Sequence, residues 1–139
     1  LLVLQPSLVA ARRIDLHRKL GWIGAALAVA MLGLGTVGAL VAARRPTGFF
    51  DIPIPPLQFL AVPFFDIVLF ATFVALAIAR RRDTQSHRRL MILASVNLLA
   101  AGIARWPFAM MAAGPPMYFG VADLFIVALA ARDFRSRGR

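Results

Sequence analysis

The two histidines of the chain stand in two copies of one short motif. His17 begins "HRKL" and His87 begins "HRRL", and each motif opens a long apolar stretch. Two neutral imidazoles at equal depth on neighbouring helices could be the axial ligands of one b-type haem. Alternatively, each histidine faces lipid headgroup phosphates together with its basic neighbours. The flanking cations favour this second interpretation, so we expect no cofactor, with haem b as the alternative.

Three further ionisable residues interrupt apolar stretches. Arg105 lies in "AGIARWPF", Asp66 in "VPFFDIVLF" and Asp123 in "GVADLFIVAL". A lone charge inside a bilayer costs about 3 kcal/mol or more, so we expect Arg105 to pair with one or both aspartates. Such an ion pair would lock a helix bundle. Alternatively, the three residues would form the proton or substrate site of a small transporter.

The composition indicates that these residues are positioned by membrane helices. Of the 139 residues, 60% are hydrophobic and only 16% are charged, with a mean hydropathy of +0.77. Soluble domains have about a quarter of their residues charged. We predict a single all-α transmembrane domain over residues 1–139, a polytopic bundle of four full spans after the end of an upstream helix. The spans are predicted at about 1–11 (partial), 20–43, 57–79, 90–112 and 117–134.

The basic residues predict the orientation of these spans. Four, five and four of the sixteen basic residues fall in 12–19, 80–89 and 132–139, three segments that alternating spans place on one side. The positive-inside rule puts these segments, and therefore the C-terminus, in the cytoplasm. The net charge of +10 then indicates contact with anionic lipids rather than with nucleic acid. The two histidine motifs also suggest a duplicated helical hairpin.

Small and polar residues suggest how the helices pack. Residues at helical spacing in the first full span permit close approach of a neighbouring helix, namely Gly24, Ala28, Gly35 and Ala39. Asn97 could add a hydrogen bond between helices. The sequence has no cysteine, no Gly-rich phosphate loop, no His-x-x-x-His pair and no metal site dense in carboxylates. We therefore expect a non-enzymatic protein that binds no metal ion.

Four segments carry a resemblance that covers most of the chain. They are "RIDLHRKLGWIGAALAVAMLGLG", "PFFDIVLFATFVALA", "SHRRLMILASVNLLAAGIARWP" and "ADLFIVALAARD". In their order they resemble a family of predicted bacterial inner-membrane proteins of unassigned function with paired His-Arg-(Lys/Arg)-Leu motifs. The resemblance implies a bacterial inner membrane and more helix upstream, often with another histidine. The architecture also loosely resembles that of small b-type cytochromes.

Three functions follow as expectations. The first is an accessory or scaffold subunit of a larger inner-membrane complex, respiratory or photosynthetic, because the chain is apolar and offers no catalytic set. The second is an electron carrier in which His17 and His87 bind haem b. The third is a small transporter that uses Arg105, Asp66 and Asp123.

Overall fold

The computed structural model describes residues 4–46, 55–104 and 115–137, and all regular structure within them is helical. This confirms the predicted all-α class. The six helices are α1 (Leu4–Ala10), α2 (Ile14–Ala43), α3 (Pro56–Phe59), α4 (Ala61–Ala79), α5 (Thr84–Ile103) and α6 (Pro115–Arg137).

Two helical segments are long and apolar enough to cross a membrane. They are α2 and the stretch Pro56–Ala79, in which α3 runs into α4. Full spans at α5 and α6 stay a prediction. The first turns of α5 are polar, "TQSHRR", and its predicted end at residue 112 lies outside the described residues. The last turns of α6 carry charges, in "ARDFRSR".

The boundaries differ from the predicted spans in one way that matters for the histidines. We predicted apolar spans from residues 20 and 90, but α2 begins at Ile14 and α5 at Thr84. Hydrogen bonding, unlike hydropathy, continues through the polar residues, so each helix extends beyond its apolar part. Both histidines therefore lie inside the first turns of helices rather than in loops.

The helices pack in the order α2, α4, α5 and α6. Between the first three, buried Ala28, Phe70 and Ala94 form one cluster. Between α5 and α6, buried Val96, Ala100, Ile103 and Ala122 form another. Large apolar side chains elsewhere are exposed, for example Leu34 at 75%. This distribution suits a helix bundle whose outer surface is covered by lipid.

Three contacts bring four helix ends together at one end of the bundle. The ring of His17 in α2 contacts that of His87 in α5. His87 bonds to Ala77 near the end of α4, and Arg89 pairs with Asp133 near the end of α6. α2 and α5 therefore start, and α4 and α6 finish, at this end. The basic segments around residues 12–19, 80–89 and 132–135 consequently share one end of the bundle, which we call the histidine end.

A strained turn joins α1 to α2. The N–H of Arg12 donates to the carbonyl of Val9 and that of Arg13 to the carbonyl of Leu8, which is the pattern of a Schellman cap. Arg12 occupies the left-handed position of this cap, with φ of 58°. Glycine is usual there because a Cβ is unfavourable at positive φ.

Candidate functional site

The first turn of α5 is held by a side-chain cap. The carboxylate of Asp83 accepts hydrogen bonds from the backbone N–H groups of Gln85 (3.1 Å) and Ser86 (3.2 Å). These donors have no partner within the helix, so a capping aspartate stabilises its N-terminus. The hydroxyl of Ser86 donates to the same carboxylate, and this bond is the main reason why the pKa of Asp83 is lowered. The cap fixes the turn that presents His87, the fourth residue of α5.

His87 is anchored to the C-terminus of α4. Its Nδ1 lies 2.8 Å from the carbonyl oxygen of Ala77, a residue with no exposed surface. Ala77 is one of the last residues of α4, whose final carbonyls have no partner within the helix. A carbonyl only accepts hydrogen bonds, so Nδ1 must carry the proton. In the neutral ring, Nε2 then has a free lone pair.

His17 meets His87 in the equivalent position of α2. It is also the fourth residue of its helix, and the two ring centroids are 6.4 Å apart with the ring planes at 89°. Both side chains are half-buried. The Nδ1 atom of His17 is buried and has no hydrogen-bond partner among the described residues. One imidazole is thus held in a defined tautomer beside a second that has an unused polar atom.

The separation of the rings fits two imidazoles that share one metal ion. A bond from a metal to imidazole nitrogen is about 2 Å long, and each ring centre lies roughly 1 Å further out, so centroids about 6 Å apart are expected. Metal-bound histidines commonly donate their other N–H to a backbone carbonyl, as His87 does. The observed separation of 6.4 Å is close to this value, so His17 and His87 are the residues that would hold a metal centre such as a haem iron.

The predicted intramembrane ion pair is not tested, because Arg105 lies outside the described residues. Asp66 is half-buried in α4, and Asp123 is exposed on α6. The amide of Asn97 donates to the backbone carbonyl of Asp66 at 2.7 Å. The predicted hydrogen bond from Asn97 between helices is therefore present, and it joins α5 to the backbone of α4.

An ion pair that the sequence analysis did not predict joins α5 to α6. Arg89 Nη2 lies 2.8 Å from Asp133 Oδ2, and about a quarter of each side chain is exposed. The predicted topology placed 80–89 and 132–139 on one face and so contained the signal. We instead interpreted these arginines only as charges that set orientation.

The predicted packing residues of α2 face its neighbours to different degrees. Ala28 and Ala39 are each 8% exposed, and Gly24 is half-buried. A Cβ placed on Gly35 would lie 3.2 Å from Cδ1 of Ile67 in α4. Gly35 thus marks a close approach of α2 to α4.

Comparisons with protein families, with curated proteins and with solved structures find no match to this chain. The resemblance to a bacterial inner-membrane family therefore stays a prediction.

Proposed function

We propose that this chain is an integral protein of the bacterial inner membrane that binds one b-type haem between His17 and His87 and carries electrons. The observation that supports this proposal is the ring pair itself. The centroids lie 6.4 Å apart, and Nδ1 of His87 bonds to the carbonyl of Ala77. Of the three functions expected from the sequence, we thus propose the haem electron carrier rather than the accessory subunit.

The two histidines have different tasks in this proposal. His87 is the oriented ligand, because the Ala77 carbonyl holds its ring and directs the free lone pair to Nε2. His17 is the second ligand, and it lies opposite on α2. A bound haem would supply one-electron redox chemistry, and the surrounding apolar helices would limit its contact with water.

The test is the visible spectrum of the protein after expression in a bacterial inner membrane and purification in mild detergent. We expect a reduced-minus-oxidised spectrum of a six-coordinate b-type haem in stoichiometric amount. His17→Ala and His87→Ala should each lose it. Gln85→Ala is the matched control, because its exposed side chain lies two residues before His87 in the same turn. A colourless wild-type protein would reject the haem proposal. Metal analysis of the same sample would then decide whether the two histidines bind a metal ion without a haem.

The predicted role as an accessory subunit is compatible with this function. An electron carrier needs a donor and an acceptor, and a larger respiratory or photosynthetic complex would provide them. Co-purification with such a complex in mild detergent tests this role. The transporter alternative stays a prediction that depends on Arg105.

The predicted orientation has its own test. We propose that the histidine end and the C-terminus face the cytoplasm, because most basic residues gather there. A reporter enzyme active only in the cytoplasm, fused after Arg139, should be active. A reporter enzyme that is active only in the periplasm should be inactive when it is fused at the same position.

A further inference from the structure

The turn between α4 and α5 carries three consecutive arginines, Arg80, Arg81 and Arg82, all of them exposed. Asp83 is the acidic residue next to them, and its carboxylate is engaged by the cap of α5 and is influenced electrostatically by Arg80. Among the described residues, the structure shows no ion pair of Arg81 or Arg82. These two guanidinium groups are therefore available to an anion.

An open depression lies beside these two arginines. It has a volume of about 370 Å³ and is lined by Ile78, Ala79, Arg81 and Arg82. The depression is more open than enclosed, so it would hold a ligand at the protein surface rather than bury it. Half of its lining is the apolar end of α4 and the other half is cationic. A ligand that fits must therefore combine an anionic group with an apolar portion.

The position of the depression along α4 identifies the source of such a ligand. Pro56–Ala79 is apolar enough to span a membrane, and the arginines follow directly at its end. The depression consequently lies where hydrocarbon gives way to headgroups. Arginine binds phosphate through two parallel hydrogen bonds, which a phospholipid headgroup can accept.

We propose that Arg81 and Arg82 form a binding site for the headgroup of an anionic phospholipid, whose glycerol and upper acyl chain lie against Ile78 and Ala79. This inference rests on the membrane part of the proposed function and not on haem. It narrows the general prediction of anionic-lipid contact to one turn. The ligand is a lipid phosphate rather than free phosphate, because of the apolar half of the site.

The test is native mass spectrometry of the detergent-solubilised protein with added phosphatidylglycerol or phosphatidylcholine. We expect phosphatidylglycerol to bind in preference, and Arg81→Gln/Arg82→Gln to weaken its binding roughly tenfold or more, since each basic residue near an anionic surface contributes about fivefold. The matched control is Arg44→Gln/Arg45→Gln, which removes the exposed arginine pair after α2. It should leave the affinity unchanged.

Three outcomes would overturn the proposal. They are equal binding of the two lipids, an equal loss in the Arg44/Arg45 control, or displacement of the lipid by inorganic phosphate at a concentration similar to that of the lipid. Alkaline carbonate extraction and the visible spectrum separate this failure from failure of the proposed function. Release from membranes by carbonate would reject the membrane assignment. A normal haem spectrum in Arg81→Gln/Arg82→Gln would leave the histidine site intact.

Discussion

Replacement of each histidine by alanine should affect stability unequally, although both replacements would abolish the proposed haem binding. His87 donates a hydrogen bond to the buried carbonyl of Ala77, whereas Nδ1 of His17 has no partner in the part of the chain that the structure describes. His87→Ala leaves the carbonyl of Ala77, a residue with no exposed surface, without its side-chain donor. Leaving a buried polar group unsatisfied costs about 1–3 kcal/mol.

The comparison between the two variants isolates this hydrogen bond. Either replacement removes the same contact between the rings of His17 and His87, so that contribution cancels in the difference. Neither variant has both ligands, so stabilisation by bound haem cancels as well. We therefore expect His87→Ala to have a free energy of unfolding lower than that of His17→Ala by about 1–3 kcal/mol.

The measurement is unfolding of both variants in mild detergent, followed by circular dichroism during titration with sodium dodecyl sulfate. His87→Gln serves as the rescue, because a glutamine amide can donate to the Ala77 carbonyl while it is a poor haem ligand. His87→Gln should recover the free energy of unfolding that His87→Ala loses, but it should not show a haem spectrum. Equal stability of the two alanine variants, or no recovery with glutamine, would refute the structural role of the hydrogen bond.

Three further predictions concern the elements around the site. Asp83→Ala should destabilise the start of α5, whereas Asp83→Asn should retain the cap. Because folding lowers the pKa of Asp83, the ionised carboxylate should stabilise the protein above about pH 4, and this stabilisation should be lost as the pH falls through the lowered pKa. Circular dichroism during unfolding should show this pH dependence in the wild type and not in Asp83→Asn. Gly35→Val should cost about 1–3 kcal/mol of unfolding free energy by pushing α2 against Ile67, whereas Gly38→Val, whose Cβ would meet no atom within 4 Å, should be nearly neutral. Arg12→Gly should raise the free energy of unfolding by up to about 1 kcal/mol, because glycine accepts the φ of 58° without strain; a destabilised variant would show that the arginine side chain has a compensating contact.

Much of the architecture follows from the sequence because hydropathy and charge act over whole segments. The apolar stretches predict helices, and the basic clusters place 12–19, 80–89 and 132–139 on one side. For the described residues the structure agrees with both, since the contacts of His17, His87 and Arg89 gather 12–19, 80–89 and 132–135 at the histidine end. The first residues of the helices are harder to predict from hydropathy, because a cap such as Asp83 extends α5 into polar residues that hydropathy assigns to a loop.

The geometry of the site depends on contacts that the sequence pattern does not contain. The bond from His87 to Ala77 joins a side chain to a backbone carbonyl, and any residue type has such a carbonyl. Nothing in the letter at position 77 therefore marks it as an acceptor. The pairing of Arg89 with Asp133 is similar, because several arginines near the histidine end had the right charge. Only the packing of α5 between α4 and α6 selects the partners.

The cations beside each histidine are the main argument against a haem site, and helix geometry answers it. Successive residues of an α-helix point about 100° apart, so a histidine that faces a neighbouring helix directs the next side chain away from it. In both motifs the histidine is half-buried, and the following Arg18 or Arg88 is exposed. One tetrapeptide thus places an imidazole between the helices and a cation on the surface. Under the proposed function, the ligand pair and the headgroup contact that compete as interpretations of the sequence would belong to different residues of the same motif.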